Sequence, residues 1–389
     1  MPFNRRTLLA AGGASALLVS VGGGRTFVRA APAAAPAASA PWAAAPASGH
    51  PDPRLRALGY AILAPNPHNR QPWLAELVGS DTILVHPDLD RRLPETDPFD
   101  RQITIGFGCF LELLRMAAAA DGMAAEIAPF PAGEPAPRLD HRPVARVRLA
   151  PAADAAAADP LFAQVLDRRS NKQPYDTTRV VPEDVLKELQ GAAATPGRVQ
   201  ASNRAALLAE LRELTWQAVL VEAGTPRTHR ESVRLVRIGR AEIDRQPDGI
   251  ALAGPMVEEL HREGVLTRET LADPGTPAFA QMLESYRDVT ASAMAYLWLT
   301  SASDSRGEQL DAGRDWLRIN LKATALGLGL HPLSQALQEY PEMADLHAAA
   351  HRLLEAPADG RVQMLGRVGY GPPLEPTPRW PLETRLVAA

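Results

Sequence analysis

Apolar side chains recur at three- and four-residue spacing in some stretches and crowd into short runs in others, which predicts a mixture of helices and strands. In residues 50–63, Leu55, Leu58 and Ile62 share one stripe, with Pro51 and Pro53 near the start of a helix. The apolar runs 73–78 and 82–86 flank Gly79-Ser80-Asp81 and predict a β-hairpin. Ile105, Leu111, Leu114 and an alanine run predict a long buried helix over 101–122, with Asp97-Pro-Phe-Asp100 placed to cap it. Alternation over 142–149 predicts a further strand, and the alanine-rich stretch 151–159 a junction.

The remainder repeats parts of this grammar. Residues 161–168, 182–191 and 202–222 predict helices, the last through Leu207, Leu208, Leu211, Leu214 and Val219. Residues 226–277 are punctuated by Gly and Pro and carry no clear period. Residues 291–301 and 362–370 predict strands, and 309–326 a long helix broken by Gly327-Leu-Gly-Leu-His-Pro-Leu-Ser-Gln335. Two long alanine-bearing helices thus begin near Asp100 and Asp311, end at Gly122 and Gly327, and are each followed by a strand. The expected fold is α+β, with two related units, 50–150 and 160–389, in one chain.

Composition narrows the class. At 389 residues, 46% hydrophobic and 22% charged, the chain is long enough for two domains with real cores. A net charge of −4 argues against a general nucleic-acid binder, which needs a basic face. Cys109 is the only cysteine, so no intramolecular disulfide forms. At the N-terminus, Arg5-Arg6 precedes a weakly apolar, glycine-bearing stretch, and Val28-Arg29-Ala30 offers small residues for cleavage. This pattern resembles a twin-arginine (Tat) export signal over residues 1–30, implying passage through the Tat machinery to a periplasmic or extracellular location. The segment is too short and glycine-rich to span a bilayer comfortably, so the mature chain is expected to have no stable membrane span. Residues 31–49, almost all Ala and Pro, read as an extended linker.

Two stretches carry candidate chemistry. Residues 64–73, Ala-Pro-Asn-Pro-His-Asn-Arg-Gln-Pro-Trp, hold three prolines and three amide side chains on a backbone that cannot be regular helix. Asn66, Asn69 and Gln71 each offer a donor and an acceptor, which suits a planar heterocycle; alternatively they satisfy their own backbone in an ordered turn. Arg168-Arg169-Ser170-Asn171-Lys172 supplies guanidinium, hydroxyl and ammonium groups that fit a phosphate, although a basic run is more often a solvated face. Other motifs fall short. His347 and His351 lie one turn apart without a glutamate between them or a third ligand, Gly106-Phe-Gly108 has no third glycine, and Cys109 sits among Phe107, Phe110 and Leu111 as a core residue would.

Arg-x-Ser-x-Lys after a helix, Asn-x-Gln-Pro-Trp in a loop, Gly-Leu-Gly-x-x-Pro after a long helix, and a closing Gly-Tyr-Gly-Pro with Arg-x-Pro together resemble the nitroreductase superfamily of FMN-binding proteins. The loop precedes the Arg-x-Ser-x-Lys motif, an order that resembles the Acg-like subgroup, in which two halves of one chain mimic the usual homodimer. The resemblance implies FMN as cofactor and a monomer, and because the first half has no Arg-x-Ser-x-Arg of its own before residue 50, a departure from the family, one flavin site is expected rather than two. It places Arg168, Ser170, Lys172 and Arg379 at the phosphate and ribityl chain, with Lys172 also the candidate cation near N1. Asn66, Pro67 and Asn69 fall on the loop a partner subunit normally lends. Pro332, Leu333, Ser334 and Gln335 fall beside flavin N5, where Ser334 and Gln335 replace the family's commoner Glu/Gly or Gly-Gly. No general acid or base is assigned. The implied activity is two-electron transfer through flavin N5 from an unknown donor to a nitroaromatic, quinone or similar planar acceptor; the alternative is an FMN-sequestering protein without turnover.

Overall fold

The computed structural model describes residues 37–152 and 158–387. The expected export signal and the first residues of the expected linker lie outside the described residues. The first part comprises α1 (Ala40–Ala47), α2 (Pro53–Ala61), β1 (Trp73–Val78), β2 (Thr82–Pro87), α3 (Arg101–Ala120), β3 (Met123–Pro129) and β4 (Ala145–Pro151). Helix α2 starts at Asp52, whose carboxylate accepts from Arg54 N at 2.8 Å, with Pro53 at a first-turn position that has no N–H to lose. Ahead of α3, Asp100 sits left-handed (φ 57) and makes no side-chain cap. Asp97 caps instead, accepting from Gln102 N at 3.0 Å and Ile103 N at 2.9 Å, so two otherwise orphaned N–H groups are satisfied.

The second part runs α4 (Glu183–Gly191), β5 (Val199–Ser202), α5 (Ala205–Gly224), α6 (Pro226–Arg234), β6 (Val236–Ile238), α7 (Arg240–Arg245), β7 (Ile250–Leu252), α8 (Pro255–Arg262), α9 (Arg268–Ala272), α10 (Pro277–Ala291), β8 (Ala295–Ser301), α11 (Arg306–Ala325), β9 (Gly329–Pro332), α12 (Ala344–Leu353), β10 (Arg361–Gly369) and β11 (Leu386–Val387). Residues 226–277, without a readable period, form short helices around the parallel pair β6 and β7.

The fold is α+β, as expected, and its two main sheets share a topology. One has the order β11-β1-β2-β4-β3 and the other β5-β8-β10-β9. With β11 set aside, both are antiparallel throughout, and in both the long helix joins the second strand to the third (β2–α3–β3 and β8–α11–β9). Alternating burial in β2 and β4 puts Ile83, Val85, Val147 and Leu149 on the core face; β8 and β10 are buried on both faces, β8 as a largely apolar run and β10 with the buried polar Gln363 and Arg367 among its apolar residues.

Helices α3 and α11 pack directly on each other. Glycine makes this possible: a Cβ on Gly108 would lie 2.0 Å from Leu310 O, and one on Gly313 2.0 Å from Ile105 O. Cys109 donates its S–H to Gly313 O at 3.1 Å, and burial pushes the thiol up to about 12, so it is a core residue. Helix α3 is long and apolar enough to cross a membrane, but 83% of that stretch is buried in the protein.

Two expectations are corrected. From residue 37 on, the Ala/Pro-rich stretch is not extended: residues 37–39 form a 3-10 turn and 40–47 a helix, and Trp42 and Ala45 join the main core. Nor are the two parts separate along the chain, because β11 pairs parallel with β1 (Ala75 opposite Leu386) and so extends the first sheet. Gly108→Ala or Gly313→Ala is expected to lower stability by more than about 3 kcal/mol, because backbone meets backbone and no side chain can yield; thermal unfolding checks this, and a midpoint within 2 °C of the parent would refute the packing.

Candidate functional site

Helix α2 ends at Ala61, and the carbonyls of Ile62, Leu63 and Ala64 point past its C-terminus, where a helix is electronegative. Two arginines distant in sequence meet them. Arg379 donates from Nε to Ile62 O at 3.0 Å and from Nη2 to Leu63 O and Ala64 O, both at 3.1 Å. Arg168 donates from Nη2 to Leu63 O at 3.2 Å. Arg169 lies alongside, anchored to the carbonyls of Leu166 and Arg168 at 2.7 and 2.8 Å. Arg168 and Arg379 are each 2% exposed, and among the described residues no carboxylate lies within salt-bridge distance of any of the three. Burial, and then the charge of Arg169, pulls Arg168 down to about 10; burial and the two neighbouring guanidinium groups pull Arg379 well below its usual value. Arg168 Nη1 is buried and has no partner among the described residues. Such a cluster is short of one anion.

The loop 64–73 is strained. His68, Asn69 and Gln71 have φ of 47°, 50° and 51°, in the left-handed region that non-glycine residues seldom adopt. Its amides hold the chain itself, the second of the two arrangements open to them from the sequence. Asn66 closes its own turn, accepting from Gln71 N at 2.7 Å and donating to Ala64 O at 3.2 Å. Asn69 accepts from Arg379 Nη1 at 2.6 Å and donates to Pro378 O at 3.0 Å. Gln71 donates to Pro247 O at 2.8 Å and accepts from Trp380 N at 2.9 Å. Asn66 and Pro67 rest on Gly106 of α3, where an added Cβ would come within 3.2 Å of Asn66 Cβ.

The basic segment leads toward this loop. Half-buried Ser170 precedes Asn171, whose N–H donates to Leu330 O of β9 at 3.0 Å. Arg367 of β10 donates to Asn171 O (3.3 Å) and Gln173 O (2.7 Å), and to His331 Nδ1 at 3.0 Å. That last bond leaves His331 Nδ1 bare, so the neutral ring carries its proton on Nε2. The charge of Lys172 adds to desolvation in disfavouring protonation of both His331 and His68. Desolvation lowers all three, with His68 falling to about 4, so the two imidazoles are neutral at pH 7. The His68 Nδ1 is shut from water with no partner among the described residues.

Beyond His331, Pro332 ends β9, and Leu333 donates its N–H to Leu365 O at 2.9 Å while its side chain joins the second core cluster. Ser334 precedes a 3-10 turn from Gln335 to Leu337. Of these, Gln335 keeps a buried, unpartnered Oε1. The structure therefore brings Arg168, Arg379 and Asn69 together past the end of α2, seats Asn66 and Pro67 on Gly106 of α3, and leads the chain after Arg168 to β9 through the bond from Asn171 N to Leu330 O. His347 and His351 serve the fold elsewhere: the rings lie 4.2 Å apart, and His351 bonds His347 O at 2.8 Å and Val362 N at 3.1 Å.

The nitroreductase family model matches residues 165–370, more than half of the chain. The chain belongs to the nitroreductase family. A candidate NAD(P)H nitroreductase of Mycobacterium tuberculosis (strain H37Rv) is 29% identical over 83% of this chain and 87% of its own. An uncharacterised protein of the same strain is 27% identical over 84% and 90%. Among solved structures, the FMN-dependent nitroreductase NfnB from Mycobacterium smegmatis in complex with NADPH is 16% identical over 58% of this chain and 96% of that one, with a TM-score of 0.34. A Bacteroides fragilis nitroreductase with bound FMN is 16% identical over 55% and 89%, at 0.31. The family match includes Arg168, Ser170, Lys172 and Pro332 to Gln335, while the loop 64–73 and Arg379 lie outside it.

Sequence reasoning passed over His68 and His331, each beside a residue it singled out, and Trp42, the one large side chain in the Ala/Pro stretch. His68 leaves a pH signature. Its folded value of about 4 lies below the ordinary 6.5, so its contribution to stability is complete above pH 6.5 and is lost as pH falls toward 4, by up to about 3 kcal/mol. His68→Asn, which tolerates the left-handed backbone, is expected to flatten the fall in unfolding midpoint between pH 6.5 and 4.5; an unchanged slope would place the proton elsewhere.

Proposed function

We propose that this protein is an FMN-dependent oxidoreductase with a single flavin site formed between two related α+β halves that mimic the usual homodimer. The isoalloxazine, when bound, supplies two-electron chemistry at N5. The observation that carries the reading is the buried pair Arg168 and Arg379 with the half-buried Arg169 alongside: among the described residues none of the three has a carboxylate within salt-bridge distance, and Arg168 Nη1 is left unpartnered. A phosphate monoester fits that deficit, with bidentate guanidinium donors and a desolvated setting. Ser170 and Lys172 would follow the ribityl chain toward the ring system. Lys172 would hold positive charge near the ring, where the reduced cofactor is anionic. The neutral His68 and His331 add hydrogen-bonding groups there without adding charge, and Gln335 Oε1 offers an acceptor beside them. Asn69 acts one step back, fixing the Arg379 guanidinium.

Acceptors in keeping with the family are nitroaromatics, quinones and similar planar molecules, and NAD(P)H is the first donor to try, given the relatives' names. Export through the Tat machinery would carry the folded, cofactor-loaded protein out of the cytoplasm, where a quinol becomes the alternative donor. Arg5→Lys with Arg6→Lys is expected to retain the protein in the cytoplasm on fractionation; unchanged export would dismiss the signal.

Purified protein is expected to be yellow, with a released chromophore that co-elutes with FMN, and to bleach anaerobically with NADH, NADPH or a quinol. Arg168→Met is expected to weaken FMN binding to the apoprotein at least tenfold by fluorescence titration. A colourless protein with no affinity for FMN would end this reading. Tight FMN without bleaching by any donor or turnover on any acceptor would replace it by FMN sequestration.

A further inference from the structure

The three arginines share a fourth neighbour. The indole of Trp42 lies over Arg169 at 4.7 Å, Arg379 at 5.5 Å and Arg168 at 5.9 Å, measured from each guanidinium carbon to the ring centroid. Its Nε1–H donates to Thr377 O at 2.8 Å. The segment carrying it is fastened on both sides: Arg379 N donates to Ala38 O at 2.8 Å, and Ala38 N donates to Asp244 Oδ1 at 3.0 Å. Trp42 itself is 5% exposed.

Resting on the FMN reading above, we propose that residues 37–47 are a strap that walls the anion end of the site, and that Trp42 is a cofactor-retaining residue. Helix α1 has eight residues, contains Pro41 and Pro46 and carries no charged side chain, so it cannot persist alone in water. It exists because it is docked, on α2 through Ala45 at Gly59 and, through Trp42, on the arginine cluster together with the tail that bears Arg379. An electron-rich ring face is a favourable but weak neighbour for a guanidinium, and three cations under one indole still repel each other. A phosphate among them removes the repulsion, and the strap then closes the way out. Docking and cofactor retention are thereby coupled, and such coupling is reciprocal: the strap slows loss of FMN, and FMN holds down the strap.

Both directions are measurable on the full-length holoprotein without assaying turnover. Release of FMN is followed by recovery of its fluorescence on dilution with an excess of a competing apoflavoprotein. Trp42→Ala is expected to speed release at least tenfold and Trp42→Phe, which keeps an aromatic face but loses the bond to Thr377, by a smaller factor. In parallel, hydrogen exchange of the peptide covering 37–49 is expected to slow on adding FMN to the apoprotein, and to slow partially with inorganic phosphate alone. Unfolding of both apo variants by circular dichroism separates lost retention from lost folding; should Trp42→Ala fail to fold, the exchange measurement on the wild type decides. Release rates equal to wild type, or exchange over 37–49 unmoved by FMN that is demonstrably bound, would overturn the strap and leave the flavin reading intact. Wild-type protein with no affinity for FMN would instead remove the flavin reading, and the strap's role with it.

Discussion

The direct contact of α3 with α11 at Gly108 and Gly313 is the constraint on which the rest of the protein depends. Neither helix can be moved outward without opening a cavity, nor inward, since backbone already touches backbone. Each helix connects the second and third strands of its own sheet, so their contact fixes how the two sheets stand relative to each other. Two residues before Gly108, Gly106 seats the loop at Asn66 and Pro67. One helix therefore positions both the opposite half and the strained loop.

Charge gives the site its character. Guanidinium groups rarely gather in the dry interior, because at an effective dielectric of ~20 two like charges a few ångströms apart repel by about 3 kcal/mol. Here the carbonyls at the end of α2 offset part of that, supplying partial negative charge without a carboxylate. Full compensation by an acidic side chain would have made a structural ion pair. Partial compensation by dipoles leaves a net demand for an anion, and that separates this cluster from the buried Arg237, whose guanidinium meets the carboxylate of Asp248 at 2.7 Å.

Strain and tethering go together in the loop. Left-handed conformation at His68, Asn69 and Gln71 costs of the order of 1 kcal/mol or more each, and it persists because surrounding bonds over-determine it. Those bonds come from residues 378–380 and from Pro247, remote in the chain. The C-terminal tail thus completes the loop, the arginine cluster and, through β11, the first sheet, so its length and proline content are matched to three separate attachments.

How much of this was legible depended on range. Apolar periodicity alone determined the long helices, the hairpin 73–78/82–86, the strand ending at Gly369 and the α+β class, because these record which face of each element meets a core. Local motif chemistry singled out 64–73 and 168–172, and the resemblance they carry led to the family. The sequence did not reveal β3, whose Met123–Pro129 run is half-exposed on alternate residues, nor β5 and β11, which are too short to carry a period. Tertiary structure alone decided that the Ala/Pro stretch is a docked helix: its stability comes from burying Trp42 against groups more than a hundred residues away, and no local propensity encodes that. It also decided that Asn66 and Asn69 bond to the chain, and that two arginines cap one helix while leaving a donor unmatched. Hydrogen-bond partners and net local charge are properties of what surrounds a residue in space, and the order of residues along the chain does not contain them.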